Sequence, residues 1–232
     1  LYGVWGTSAS DVFVAGEATS ILHYDGSTWS QMAVAAEIDF HALWGSAPDD
    51  VFAVGALGRI QHFDGATWAD MDSTTNHSLW GVWGGASNDV FAVGNSGTIL
   101  HYDGSAWSLM ISVAPLYLDG LWGTSGDNVF VVGDEGTILH YNGVTWSNMD
   151  SGSAEYLADV WGSSPSDVFV VGSAGTILHY DGATWSAMDS GSTKVFRGVW
   201  GSASSDVFVV GDGGTILHYD GATWSPMSSG TT

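Results

Sequence analysis

Six histidines occupy one repeat position: His23, His62, His101, His140, His179 and His218, each 39 residues after the last. Imidazoles in such register invite metal ligation or general acid–base chemistry. Aspartates recur with them at the Asp11 and Asp25 positions, the second in Asp-Gly turns of a kind that sometimes hold calcium. Calcium takes about six to eight oxygens, and no Asp-x-Asp-x-Asp run supplies them. Both aspartates therefore read as turn residues that accept backbone N–H groups. Two further sets, the Trp-Gly tryptophans (Trp5 and equivalents) and those of the Trp29 position, could stack on sugars. Aromatic rings at regular strand positions read first as core. No Ser, His and Asp set stands apart from the repeat, so no catalytic residue is assigned and the chain reads as a non-enzyme.

The elements that must position these groups follow from the period. Six copies of 39 would fill 234 residues, and the chain has 232. In copy one, Leu1 to Gly6 makes a first strand that ends in the turn Thr7-Ser8-Ala9-Ser10, and Val12 to Ala15 a second strand, apolar on both faces. Ile21 to Tyr24 forms a third strand, and the segment around Trp29 and Met32 a fourth. The second hairpin has the form Gly-x-x-Gly, as at Gly94 to Gly97, whose second Gly suits a left-handed residue. Copy one departs there, with Glu17-Ala18-Thr19. Asp25-Gly26 is a signal for a two-residue type I′ turn. That turn would set Tyr24 opposite Ser27, His23 opposite Thr28 and Leu22 opposite Trp29. Phe13, Leu22, Tyr24 and Trp29 would then share one face, and Val12, Val14, Ile21 and His23 the other.

Four short strands in about 40 residues make one propeller blade. Copies one and six keep the apolar pattern of the middle copies, where an open solenoid would need polar caps. The expected fold is therefore all-β: a closed six-bladed β-propeller, four antiparallel strands per blade, as a single domain. The blades fall at 1–39, 40–78, 79–117, 118–156, 157–195 and 196–232. On that fold the third strands lie about 15 Å from the axis, too far apart for histidines to share an ion at about 2 Å per ligand. No metal and no cofactor is expected. Each histidine should be half-buried and bonded to the Thr28 position or to the adjoining blade.

Composition removes other classes. The formal charge is −22, from 25 acids against Arg59, Lys194 and Arg197. Phosphate neutralisation needs Lys and Arg, so nucleic acid is excluded as a partner, and anionic membrane surfaces are disfavoured. No apolar run approaches about 18 residues, so no segment inserts across a bilayer. Absence of cysteine removes disulfides, thiolate metal sites and thiol nucleophiles. The chain starts at Leu1, and reads as a processed chain, a domain of something larger, or an engineered or recently amplified repeat. An acidic, cysteine-free, Trp- and Gly-rich repeat suits bacterial export, so the expected location is extracellular or in the cell envelope.

At Gly-Thr-Ile-Leu-His-Tyr-Asp-Gly-Ala-Thr-Trp (residues 175–185) the chain resembles the Asp-box propellers, which include bacterial sialidases and the photosystem II assembly-factor type. It keeps the Asp, one Gly and the Trp of that motif, has one residue fewer between Asp and Trp, and lacks the preceding Ser. The longer WGxSxxDVFxVGxxGTILHYDGxxW pattern is similar to repeats of exported bacterial proteins of undefined function. The resemblance spans all six copies and implies a propeller. Sialidase chemistry does not carry over, because it would use an arginine triad and only Arg59 and Arg197 exist. The basic patch that describes the assembly factors is also missing.

The variable columns point to the site. The second residue of each copy reads Tyr2, His41, Trp80, Asp119, Ala158 and Arg197 while its neighbours barely change. The second hairpin, expected on the same side, carries Glu17, Asn95, Asp134, Glu135 and Asp212. These residues would gather at the channel mouth and bind a protein or a glycan. The alternatives are a multivalent lectin with sugar sites between blades, and, at lower weight, a hydrolase. Position two should be more exposed than the Leu1-type residue beside it. Two apolar linkers, Ala33 to Ala36 with Ile38, and Ile111 with 113–117, would mark an interacting face.

Overall fold

The computed structural model describes residues 1–17, 20–34, 38–110 and 116–231. These form six antiparallel four-stranded sheets, each with its strands in chain order. The only helices among the described residues are five single 3₁₀ turns of three residues. The sheets are the blades of a six-bladed β-propeller. In blade two the strands are Phe40–Ala47, Asp50–Gly55, Ile60–Phe63 and Trp68–Met71. The first strands of the other blades are Gly3–Ser8, Leu79–Ala86, Leu118–Ser125, Leu157–Ser164 and Phe196–Ala203. The chain divides into two compact units, 1–115 and 116–232, of three blades each.

The register within a blade differs from the expectation by one residue between the second and third strands and by two between the third and fourth. Tyr24 pairs with Trp29 and His23 with Ser30, while Phe13 pairs with His23 and Val14 with Leu22. Val12, Val14, Leu22, Tyr24 and Trp29 therefore share one face, and Phe13, Ile21 and His23 share the other. The one-residue difference before the third strand is what moves Phe13 to the face of His23. The two-residue difference comes from the Asp-Gly loop, which is four residues long and leaves Leu22, Tyr24 and Trp29 on one face as expected. Asp25 Oδ1 accepts from the N–H groups of Ser27 and Thr28, both at 2.8 Å, and those bonds pull its carboxyl down to about 2. An aspartate that closes a loop through its own side chain competes with the two-residue turn. In the second hairpin both central residues are left-handed, with φ of 57° at Leu57 and 73° at Gly58. This is the type I′ pattern, one αL residue more than the Gly-x-x-Gly signal predicts. Ala18 and Thr19 lie outside the described residues.

Blades pack face to face within each unit. In the first unit Phe13, Leu43, Val51, Phe63 and Trp68 build one core between blades one and two, and Phe52, Val54, Leu79, Val90 and Trp107 the next. In the second unit Phe130, Leu157, Val168 and Leu178, then Phe169, Phe196, Val207 and Leu217, repeat the arrangement. The Trp-Gly pair serves as knob and hole. A Cβ on Gly84 would come within 2.5 Å of the Trp44 ring, and one on Gly162 or Gly201 within 2.6 Å of Trp122 or Trp161. Only glycine leaves room for the ring of the preceding blade. One linker expectation is corrected: Val34 and Ile38 pack against the core of blades one and two, because apolar side chains beside a blade seam bury there. Residues 35–37 and 111–115 of those linkers lie outside the described set, and Tyr117 is exposed.

Candidate functional site

The histidines come first, because their partner was missed. His23 Nε2 donates to Asp11 Oδ1 at 2.7 Å, and Thr7 Oγ1 donates to Asp11 Oδ2 at 2.5 Å. His62, His101, His179 and His218 pair in the same way with Asp50, Asp89, Asp167 and Asp206 at 2.6–2.8 Å. Ser46, Ser163 and Ser202 donate to the other carboxylate oxygen in their blades. In blade four Asn128 replaces the aspartate, accepting from His140 at 2.7 Å and donating to Thr124 at 2.9 Å. The imidazole lies over the second-strand phenylalanine, at 4.3 Å for Phe13 and His23. The expected partner, the Thr28 position or the adjoining blade, is thus corrected to an aspartate twelve residues upstream in the same blade. The one-residue register shift turns the ring that way.

This chain of hydroxyl, carboxylate and imidazole has the wrong order for nucleophilic catalysis. The carboxylate stands between hydroxyl and histidine, so the imidazole does not reach the hydroxyl as a general base. Burial opposes ionisation of Asp11, but hydrogen bonds from Thr7 and His23 outweigh it and lower its pKa. His140, which faces a neutral Asn128, has its pKa lowered by burial alone. These groups tie the second strand to the third. Among the described residues no group of three or more His, Asp or Glu is placed to hold a metal ion.

Position two behaves differently. In the first unit its side chains touch from blade to blade: Tyr2 meets His41 edge-on at 5.8 Å, and His41 stacks on Trp80 at 4.0 Å and 11°. His41 Nδ1–H donates to the Leu79 carbonyl at 2.8 Å, which fixes its ring plane. The second hairpin supports the strip from behind. Tyr2 Oη donates to Glu17 at 2.6 Å, and Trp80 Nε1–H donates to Asn95 at 2.5 Å. The Glu17 bond raises the Tyr2 pKa. The outer ends of the strip, Tyr2 and Trp80, remain exposed.

In the second unit two of the three equivalent positions carry ionisable side chains, Asp119 and Arg197. Arg197 makes two bonds to Asp212, at 3.0 and 3.2 Å. Asp119 instead has Asp134 as its hairpin neighbour. Burial first, then repulsion from Asp134, lifts Asp119 to about 6, although Tyr156 hydrogen-bonds to it. Glu135 stands exposed at the turn tip with φ of 53°, and Ala158 adds no polar group. The exposure expectation holds at His41, Trp80, Asp119 and Arg197, whose neighbours Phe40, Leu79, Leu118 and Phe196 are buried. It fails in copy one, where Leu1 is more exposed than Tyr2.

Sequence reasoning missed Asp159 and Tyr156. Asp159 accepts from its own blade at Val160 N–H and from the next at Val199 N–H, both at 2.9 Å. Burial lifts its carboxyl to about 6 against those two bonds. The signal was present: position three is Gly or Ala in every other copy. First strands approach closely there, and Asp159 fits because its neighbour is Gly198.

The fold and this edge define a β-propeller whose repeats carry the scaffold and whose position-two column carries the individuality. No protein-family model and no curated protein matches the chain. Solved structures do. One, "YCF48 bound to D1 peptide", superposes with a TM-score of 0.74 at 18% identity, covering 94% of this chain and 76% of that one. YCF48 from Cyanidioschyzon merolae superposes at 0.79 with 13% identity, covering 100% and 86%. YCF48 is a photosystem II assembly factor, the type named by the sequence resemblance. At these identities the likeness is one of fold.

Proposed function

We propose that this chain is a non-enzymatic binding propeller that receives an extended protein segment on its position-two edge. The observation that carries the reading is the contiguous strip Tyr2, His41 and Trp80, held from behind by Glu17 and Asn95. Exposed, prepositioned aromatic rings lose little entropy on binding and offer faces for apolar and cationic side chains. Net charge of −22 steers basic partners toward the chain and repels acidic ones. A peptide partner of one YCF48 structure makes the same class of ligand reasonable here, with the present chemistry favouring a basic segment. Sugar sites repeated between blades would need the ring faces of the fourth-strand tryptophans. Trp68 and Trp107 are buried, their rings set edge-on to Phe13 and Phe52.

The test is an array of extended peptides, basic, neutral and acidic, followed by titration calorimetry of the best binder. One peptide per chain is expected, and Trp80→Ala or His41→Ala should weaken it at least 10-fold. Binding that ignores both substitutions, or preference for acidic peptides, would place the site elsewhere.

A further inference from the structure

Leu57 stands apart on the position-two edge of the first unit. It is the tip of the second hairpin in blade two, left-handed with φ of 57° and 70% exposed. The same tip is Ser96, Glu135, Ala174 or Gly213 in blades three to six. Glycine, or a short or polar residue, suits a left-handed turn in water. Leucine keeps the backbone penalty there and leaves its side chain hydrated. An apolar side chain held out at a strained loop tip is the kind of feature that marks a binding contact.

Hydrogen bonds fix where this tip stands. Ala56 N–H donates to the Asp39 carbonyl at 3.0 Å, and Leu57 N–H donates to Ser78 Oγ at 3.4 Å. Asp39 leads into the strand of His41 and Ser78 into that of Trp80, so the tip sits at the seam where those two rings stack. Blade two also offers Ala56 where blades one and three have Glu17 and Asn95, and His41 is held by the Leu79 carbonyl instead. The hairpin therefore brings apolar groups, not a polar brace, to this part of the edge. Residues 1–115 carry 12 acids against Arg59, which is itself tied to Asp70 at 2.9 Å. The field around the apolar tip is negative.

We propose that Leu57 sets the side-chain specificity of the strip: the basic extended segment bound there carries a large apolar residue that packs on Leu57, beside the His41–Trp80 stack. This rests on the reading of the position-two edge as a peptide site and adds a second requirement to it. Charge alone attracts any polycation, and an apolar side chain matched to Leu57 selects among them. Side chains two apart in an extended segment point the same way. One segment can thus set an apolar group on Leu57 and a cation on the exposed Trp80 ring.

Calorimetric titration of the full chain with two nonapeptides of lysine and serine, one with a central leucine and one with serine there, tests this. The leucine peptide should bind about 10-fold more tightly or better. Leu57→Ser takes the tip residue of blade three, and should erase that preference by weakening the leucine peptide alone. Trp80→Ala should weaken both. Equal affinity of the two peptides for the parent, with both still weakened by Trp80→Ala, overturns the role of Leu57 and leaves the strip as the site. No binding of either peptide, or binding that ignores Trp80→Ala, overturns the strip and this proposal with it. Leu57→Gly relieves the left-handed turn and should unfold at the same urea concentration as the parent or a higher one. A marked loss of stability would make Leu57 a structural residue and contradict the proposal.

Discussion

At the scale of single residues, polar groups that tie the fold differ from those of the proposed recognition edge. The six histidines belong to the first kind. Their spacing was plain in the sequence, but their partner was not, because the second and third strands pair one residue away from the register the second hairpin suggests, which brings His23 onto the face of Asp11. Asp119 belongs to the second kind. It holds its proton up to about 6 in the folded chain, against about 3.9 for an unfolded aspartate. Between those values the folded state binds more protons than the unfolded one, so stability falls as pH rises through the window. Asp119→Asn keeps an acceptor for Tyr156 and removes the repulsion from Asp134. The variant should be about 1–3 kcal/mol more stable than the parent at pH 7, and indistinguishable from it near pH 4. Urea unfolding at several pH values measures this; a variant less stable at pH 7 would mean that the carboxylate is satisfied as an anion.

Among the elements, the second hairpin sets the direction of the side chains behind position two. Its two left-handed residues are Ala174 and Gly175 in blade five, with φ of 53° and 75°. They are not equivalent. A Cβ on Gly175 would come within 1.9 Å of the Ser192 carbonyl oxygen, in addition to the left-handed penalty of about 1–2 kcal/mol. Gly175→Ala should therefore cost about 2 kcal/mol or more, whereas Ala174→Gly should be neutral or gain up to about 1 kcal/mol. Equal effects in denaturant titrations would contradict the turn geometry. Element existence was legible from the 39-residue register and the Gly and Asp punctuation. Strand pairing was not fully so, since one loop residue moves every side chain after it to the other face.

For the whole molecule, the repeat predicted a six-bladed propeller, and six four-stranded blades are what the chain forms. The proposed site was legible only as variation at position two. The sequence could place Tyr2, His41 and Trp80 in one column; it could not show that their rings touch, because that depends on how closely the first strands approach. Asp159 escaped notice for the same reason: its role lies in a bond to the next blade. The central claim, that the position-two edge is the recognition surface, is tested most directly by amide hydrogen exchange with and without a bound basic peptide. Protection is expected at residues 40–42 and 79–81 and in the hairpin at 94–97. Protection confined to the Asp loops at 64–67 and 103–106, with those segments unchanged, would contradict it.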